Sequence, residues 1–286
     1  HQGVGLVNQF LAQIRNVEAI AHVVRCCQDP DIAHLTAELD PSSDADDIHL
    51  ELLLADLATV QRRETKVQSM AKAQPREYAL ELDLLARMKA HLEGGHLASQ
   101  LPTSEKETET LAPLSLLTGK PRLYVANVSE SSLPGGGPLA DVVRRRAAAE
   151  KAQAVTICAQ LEEDLADWPE EEAAEYRAEL GLDATGLALL IRAGYELLDL
   201  LTFFTATGTK VVRAWNLRRG QSVLEAAGKV HTDMQRGFIR AEVISYHDLI
   251  DAGTYAHARD KGLIRLEGRD YLVQDGDVIH IRFSPT

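Results

Sequence analysis

Pro121-Arg122-Leu123-Tyr124-Val125-Ala126-Asn127, then Gly135-Gly136-Gly137-Pro138, then Ala154-Val155-Thr156-Ile157-Cys158-Ala159 decide the fold of this chain. The first and last runs are short and largely apolar, the last with the β-branched Val155, Thr156 and Ile157, and both read as strands. Between them the glycines make a loop. Pro138 is placed to open a helix, because its fixed φ suits the first helical turn and its missing N–H is not needed there. Strand, helix and strand in that order predict an α/β domain with a mainly parallel sheet.

Outward from this stretch the same alternation continues. Ala19-Ile20-Ala21-His22-Val23-Val24-Arg25-Cys26 reads as a further buried strand, preceded by a helix over 6–17 with Leu6, Phe10, Leu11 and Ile14 on one face. Asp29-Pro30-Asp31 and Asp40-Pro41-Ser42-Ser43 read as turns. A long helix is predicted from Asp47 to Met70, broken at Pro75, and a second from Glu77 to Leu92, stopped by Gly94-Gly95. Together they make an antiparallel hairpin, read as a packing arm or spacer, with partner binding as the alternative. Helices follow over 104–117 and 183–200, and another that Asp167 can cap, with Pro169, Glu170 and Glu171 in its first turn and Gly181 at its end. The C-terminal part differs: short strands at 202–206, 211–217, 239–245 and 278–283 with short helices between them suit a small α+β roll.

Bulk properties narrow the function classes. Length alone suggests about two domains. The 286 residues carry 45% hydrophobic residues, enough for ordinary cores, and no apolar run of the ~20 residues that cross a bilayer. No membrane partner and no secretory signal are expected. Three cysteines, two of them adjacent (Cys26, Cys27), make no disulfide framework and point to a reducing, cytoplasmic setting. The adjacent pair reads as small core residues, with a redox sensor as the alternative. The net charge of −13 argues against a nonspecific nucleic-acid coat, and no DNA partner is expected. The charge is uneven, however: residues 201–286 hold 12 Lys/Arg against 10 Asp/Glu, and the remainder 18 against 33.

One ordered series carries a family resemblance. It comprises Phe203-Phe204-Thr205-Ala206, Val212-Arg213-Ala214-Trp215, Ala226-Ala227-Gly228-Lys229-Val230-His231-Thr232-Asp233, Arg236-Gly237-Phe238-Ile239-Arg240-Ala241-Glu242, Leu266-Glu267-Gly268-Arg269-Asp270-Tyr271 and Gln274-Asp275-Gly276-Asp277-Val278. The series resembles the C-terminal TGS domain of the YchF, or Obg-like, ATPases, P-loop proteins of the translation-factor class. The resemblance implies a partial G domain at 1–57, a helical-hairpin insertion at 58–98, the rest of the G domain at 99–200 and a ubiquitin-like β-grasp TGS domain at 201–286. It also implies an ATPase that binds ribosomes.

A phosphate-binding loop needs G-x-x-x-x-G-K-[ST], and the 286 residues contain none. Gly119-Lys120 runs into Pro121, Gly208-Thr209-Lys210 lacks the earlier glycine, and Gly135-Gly136-Gly137 has no following lysine. The chain opens on His1, and Gly3-Val4-Gly5-Leu6-Val7-Asn8-Gln9-Phe10-Leu11 looks like the helix after the family's Mg²⁺-side switch. The phosphate and Mg²⁺ residues are therefore expected upstream of His1, with no catalytic side chain or metal ligand in this segment, which alone is expected to be inactive.

The base-recognition half is expected within the chain. Asn127-Val128-Ser129-Glu130 stands at a strand end where G-protein folds carry N-K-x-D, and N-x-x-E is the variant of the resembled family, which prefers ATP. Adenine offers no N1–H or N2 amine, so the aspartate has no role, while an amide at Asn127 carries both donor and acceptor. Cys158-Ala159 takes the place of the loop that offers backbone N–H groups to the base; the family usually has Ser at Cys158 and often an aromatic at Cys27. The predicted nucleotide residues are thus Asn127, Val128, Glu130, Cys158 and Ala159, with ATP and Mg²⁺ as ligands. Arg218, Arg219, Arg236 and Arg240, with Arg213 and Lys229, are predicted to form a basic face for ribosomal RNA. His231 and Asp233 invite an acid–base reading, but no nucleophile accompanies them; a turn in which Thr232 or Asp233 caps a short helix is expected instead. A non-enzymatic ribosome- or protein-binding adaptor is the alternative function, and a GTPase is disfavoured by Glu130 in place of Asp and by Val128 in place of Lys.

Overall fold

The computed structural model describes residues 10–11, 13–28, 38–207 and 211–284. The predicted turn at Asp29-Pro30-Asp31, the segment Gly3 to Gln9 and Gly208-Thr209-Lys210 lie outside the described residues. The chain divides into two compact units, His1–Leu197 and Leu198–Thr286.

In the first unit a parallel sheet is ordered β1 (Ile20–Arg25), β2 (Arg122–Asn127), β3 (Gln153–Ile157). Arg25 pairs with Asn127 and Asn127 with Ile157, so the three strands end level with one another. The central strand is buried along almost its whole length, which is why its sequence is a continuous apolar run rather than an alternating one. Its side chains still alternate. Tyr124 and Ala126 pack with Ala140, Val143 and Ala147 of the helix Gly137–Ala149, while Leu123 and Val125 pack with Ala193 of the helix Gly186–Leu197. Gly136 precedes the first of these helices with φ +82°, and a Cβ there would meet Ala140 and Thr156 side-chain carbons at 2.8 Å. Only glycine lets the helix start this close to β3.

Two long helices form the expected hairpin: α1 (Pro41–Ala71) and α2 (Pro75–Glu93), joined through Leu53, Val60, Val67, Leu85, Met88 and Leu92. Both begin earlier than the sequence predicts. Asp40-Pro41-Ser42-Ser43 is a helix start and not a free turn: Asp40 Oδ1 accepts the N–H groups of Ser42 (3.0 Å) and Ser43 (3.2 Å), and Pro41 fills the first position. Pro75 likewise opens α2. The first turns of α1 belong to the sheet core through Ala45. Asp56, fully buried in α1, accepts the N–H groups of Leu117 (2.8 Å) and Thr118 (2.7 Å) and the Thr118 hydroxyl (2.8 Å), with Arg15 at 3.4 Å. This carboxylate ties α1 to the loop that leads into β2.

Other boundaries move for similar local reasons. The helix expected over 104–117 ends as α3 (Glu105–Leu111), because Pro113 cannot continue it; Ser104 and Glu107 form its capping box. After α4 (Gly137–Ala149) and the short α5 (Ala159–Asp164), α6 (Glu170–Glu179) is preceded by Pro169 rather than capped by Asp167. The last helix of the unit, α7, spans Gly186–Leu197.

The second unit is a five-stranded mixed sheet in the order β5-β4-β8-β6-β7, with β4 Leu200–Thr207, β5 Val211–Arg218, β6 Phe238–Ser245, β7 Arg265–Glu267 and β8 Asp277–Phe283. β4 and β8 are parallel neighbours and the other pairs are antiparallel. One face packs on α8 (Val223–Val230) through Leu201, Phe203, Leu217, Val243 and Ile279. Part of the other is covered by α10 (Tyr246–Ala252) and α11 (Tyr255–Asp260) over Ile244 and Val278. The four predicted strands are present; β7, only three residues long, has no sequence signature. The short α9 (Thr232–Arg236) is capped by neither Thr232 nor Asp233: His231 Nδ1 accepts the Asp233 N–H at 3.2 Å.

Candidate functional site

The three parallel strands end at one edge, and a cavity of about 500 Å³ opens there, lined by Val23 and Cys27 from β1 and its continuation, Asn127 and Glu130 from the last residue of β2 and the turn after it, and Cys158 and Ala159 after β3. A crevice beyond the carboxyl ends of parallel strands is where open α/β sheets bind their ligands. The strands stay zipped past their formal ends, since Cys26 N–H donates to Asn127 O and Val128 N–H to Ile157 O, both at 2.8 Å. The cavity floor is therefore fixed by backbone.

Asn127 does two jobs on this floor. Its Oδ1 accepts the Ala159 N–H at 3.0 Å, at the first residue of α5. Cys158, the residue before that helix, provides no side-chain cap, so Asn127 supplies one from the neighbouring strand. A donor must face an acceptor, so this bond fixes the amide orientation, and Nδ2 is left as the half that can meet a ligand. The sequence reading gave Asn127 both halves; the structure leaves it the donor. Val128 has its N–H committed to β3 and is buried.

Cys26 and Cys158 are buried packing groups, and Cys27 is partly exposed on the cavity wall. Cys158 is buried, and burial raises its thiol above the usual value. Burial and the neighbouring Cys27 push the Cys26 thiol up to about 11, far from the thiolate a redox sensor needs. The Cys27 carbonyl accepts the Arg25 Nε–H at 3.0 Å.

Glu130 begins the turn after the strand, and its carboxylate accepts the Tyr176 hydroxyl at 2.6 Å. Tyr176 lies on α6, some fifty residues away, and its ring packs against Trp168 with centroids 5.7 Å apart. No sequence signal linked the two residues.

The predicted basic face is not one face. Arg218 ends β5 opposite Leu200, at the start of β4, whereas Arg240 pairs with Arg282 near the end of β8. With Phe204 level with Val278, the two positions are eight residues apart along the strands, roughly 25 Å at 3.3 Å per residue. Arg236 lies near Arg240, because Gly237 O accepts the Ser284 N–H at the end of β8. Arg219 pairs with Asp199 at 3.3 Å. Arg218, Arg236 and Arg240 are exposed and make no ion pair among the described residues. Lys229 donates to Asn216 Oδ1. Glu242 is committed to Arg282, Arg259 and the Tyr255 hydroxyl. His231 and Asp233, 3.5 Å apart, are a cap and its neighbour, with no nucleophile beside them.

A family profile, YchF-GTPase_C (protein of unknown function), matches residues 200–284. The chain is 44% identical over 285 residues to the "Ribosome-binding ATPase YchF" of Bacillus subtilis (strain 168), covering 99% of this chain and 78% of that protein. It is 43% identical to the protein of the same name from Haemophilus influenzae, covering 99% and 77%. This chain belongs to the YchF family. Among solved structures, the "Structure of the Schizosaccharomyces pombe YchF GTPase" superimposes with a TM-score of 0.83 at 29% identity, covering 96% of this chain and 75% of that one. The YchF-family fold agrees with the α/β unit and the second, mixed-sheet unit described above, and its relatives are named both ATPase and GTPase. Among the described residues no helix is long and apolar enough to cross a membrane, and no group of three or more His, Cys, Asp or Glu side chains is placed to hold a metal ion.

Proposed function

We propose that this YchF-family chain carries the base-binding half of a ribosome-binding, cytoplasmic ATPase that takes ATP in preference to GTP. The Asn127–Ala159 hydrogen bond at the carboxyl edge of the parallel sheet carries the reading. It sets a fixed amide donor in the lining of a cavity large enough for a purine, and N7 of a purine is an acceptor that donor fits. Asn127, Ala159 and the walls near Val128, Glu130 and Cys158 form the base site. The phosphates and Mg²⁺ are another matter. Among the described residues no side chains cluster to hold a metal ion, and no stretch of the 286 residues has the phosphate-loop spacing.

Ribosome binding is drawn from the names of the relatives, and the exposed arginines of the second unit supply the chemistry that meets phosphate. Two measurements test the proposal. Titration of ATP and GTP into the protein expressed from its full coding sequence should show tighter ATP binding; a tenfold preference for GTP, about 1.4 kcal/mol, sinks it. Co-sedimentation should place the protein with ribosomes at low salt; failure to pellet leaves no ribosome function.

A further inference from the structure

Toward N7 the donor half of Asn127 meets the same acceptor in both purines. The other edge differs more: guanine offers two adjacent donors, N1–H and the N2 amine, where adenine offers an acceptor at N1. Two parallel donors are bound best by a carboxylate using both oxygens. Two carboxylates line the cavity, Glu163 on α5 and Glu130, which follows Asn127 by three residues at the end of β2.

The Glu130 carboxylate is already engaged. Tyr176 donates its hydroxyl to Glu130 Oε1 at 2.6 Å, a short, charge-assisted bond. The bond and the negative charge of Glu130 raise the Tyr176 phenol above its ordinary value, so it keeps its proton as a donor. Tyr176 is itself held in place. Ala173 on the same helix is buried in the sheet core, Arg177 bridges to Glu170 at 2.7 Å, and Trp168 flanks the ring. At the helix end Gly181, with φ +74°, lies against Pro134 of the turn that Glu130 begins; a Cβ there would sit 3.4 Å from the Pro134 ring. Helix α6 and the Glu130 turn are thus locked together.

We infer that Tyr176 is a specificity-determining positioning residue, which holds one oxygen of Glu130 away from the base and so denies guanine the paired acceptor it needs. The inference rests on the base site proposed above. Its chemistry is that of removal: adenine makes no use of the carboxylate, so tying it up leaves adenine binding untouched and withdraws only what guanine could gain.

The test is Tyr176→Phe in the full-length protein, with dissociation constants measured for ATP, GTP and ITP. Phenylalanine keeps the ring against Trp168 and removes only the hydroxyl, and thermal unfolding checks that the fold is kept. The GTP-to-ATP affinity ratio should rise about tenfold, the scale of one charge-assisted hydrogen bond. ITP, which lacks the N2 amine, should gain less than GTP. Adding Glu130→Gln should cancel the gain, because an amide offers one acceptor and not two. A purely structural role for Tyr176 would move ATP and GTP by the same factor, and that result overturns the inference. Asn127→Ala separates the two levels. If it leaves both affinities unchanged, the base site itself is wrong. If it weakens both while Tyr176→Phe leaves the ratio where it was, the base site stands and the role of Tyr176 falls.

Discussion

Asn127→Asp divides the two jobs of one side chain. The aspartate keeps an oxygen for the Ala159 N–H, now 3.0 Å from Oδ1, and places negative charge at the start of α5, where backbone N–H groups point outward. Folding should therefore be unharmed, with thermal stability equal to or slightly above that of the unmutated protein. The other half changes sign: the Nδ2 donor becomes an acceptor facing the N7 lone pair. Losing that hydrogen bond and leaving two acceptors opposed should cost about 1–3 kcal/mol, or roughly 5- to 150-fold in nucleotide affinity. Because N7 is common to both purines, ATP and GTP should weaken together and their ratio should hold. Asn127→Ala, by contrast, removes the Ala159 cap as well and should lower both affinity and stability. Calorimetric titration of both nucleotides, beside thermal unfolding of each variant, measures all of this. Affinity within twofold of the unmutated protein for Asn127→Asp, or a stability loss exceeding that of Asn127→Ala, would refute the division of labour drawn from the amide orientation.

Three further expectations follow from the same geometry. Asp56→Ala strips the acceptor from two backbone N–H groups, the Thr118 hydroxyl and Arg15, and should destabilise the first unit by about 3–5 kcal/mol in urea unfolding, while Thr118→Val should cost about 1 kcal/mol; equal costs would contradict the buried-carboxylate account. His22, buried and stacked on Tyr124, has its pKa lowered to about 4 by burial and by Arg122 and Arg146, so the unfolded chain binds its proton more readily; stability should fall as pH drops from about 6.5 toward 4, and a His22→Gln variant should show a flatter pH profile. Charge reversal of Arg236 and Arg240 should flatten the dependence of log ribosome affinity on log salt by about 2, whereas reversal of Arg218 and Arg219, with Arg219 already paired to Asp199, should change it less; identical slopes would mean that both ends of the sheet are merely solvated.

The layered architecture is legible in the sequence chiefly through its central strand, which is buried on both faces, whereas β1, expected to be buried, exposes Ala21 and Val23 on one face. Arg122-Leu123-Tyr124-Val125-Ala126 has no polar alternation to confuse with a helix, and the glycines with Pro138 mark the next helix start. The hairpin was legible from its length. Pro75, which the sequence reading makes a break, and Pro41, which it places in a turn, both begin helices, since a residue without an N–H is harmless where no intrahelical partner exists. Asp40 completes that reading, as an N-cap whose signal was taken for a turn. β7 was missed because three residues of edge strand, Arg265-Leu266-Glu267, carry too little pattern to register.

The candidate site was legible one residue at a time and illegible as a set of relations. Asn127 and Ala159 could be named from their positions at strand ends, yet only the structure shows that the amide oxygen is spent on Ala159 and that the donor alone remains. This narrowing has a consequence for selectivity. In the proposed site the amide donor meets N7, which adenine and guanine share, and Glu130 is the group offered to the edge where guanine has two donors. The state of that glutamate is set by Tyr176, on another helix and forty-six positions away in the chain. On the inference drawn above, selectivity depends on how α6 docks beside the strand ends. Gly181 against Pro134, where the end of α6 meets the Glu130 turn, is then expected to bear on nucleotide choice without approaching the base.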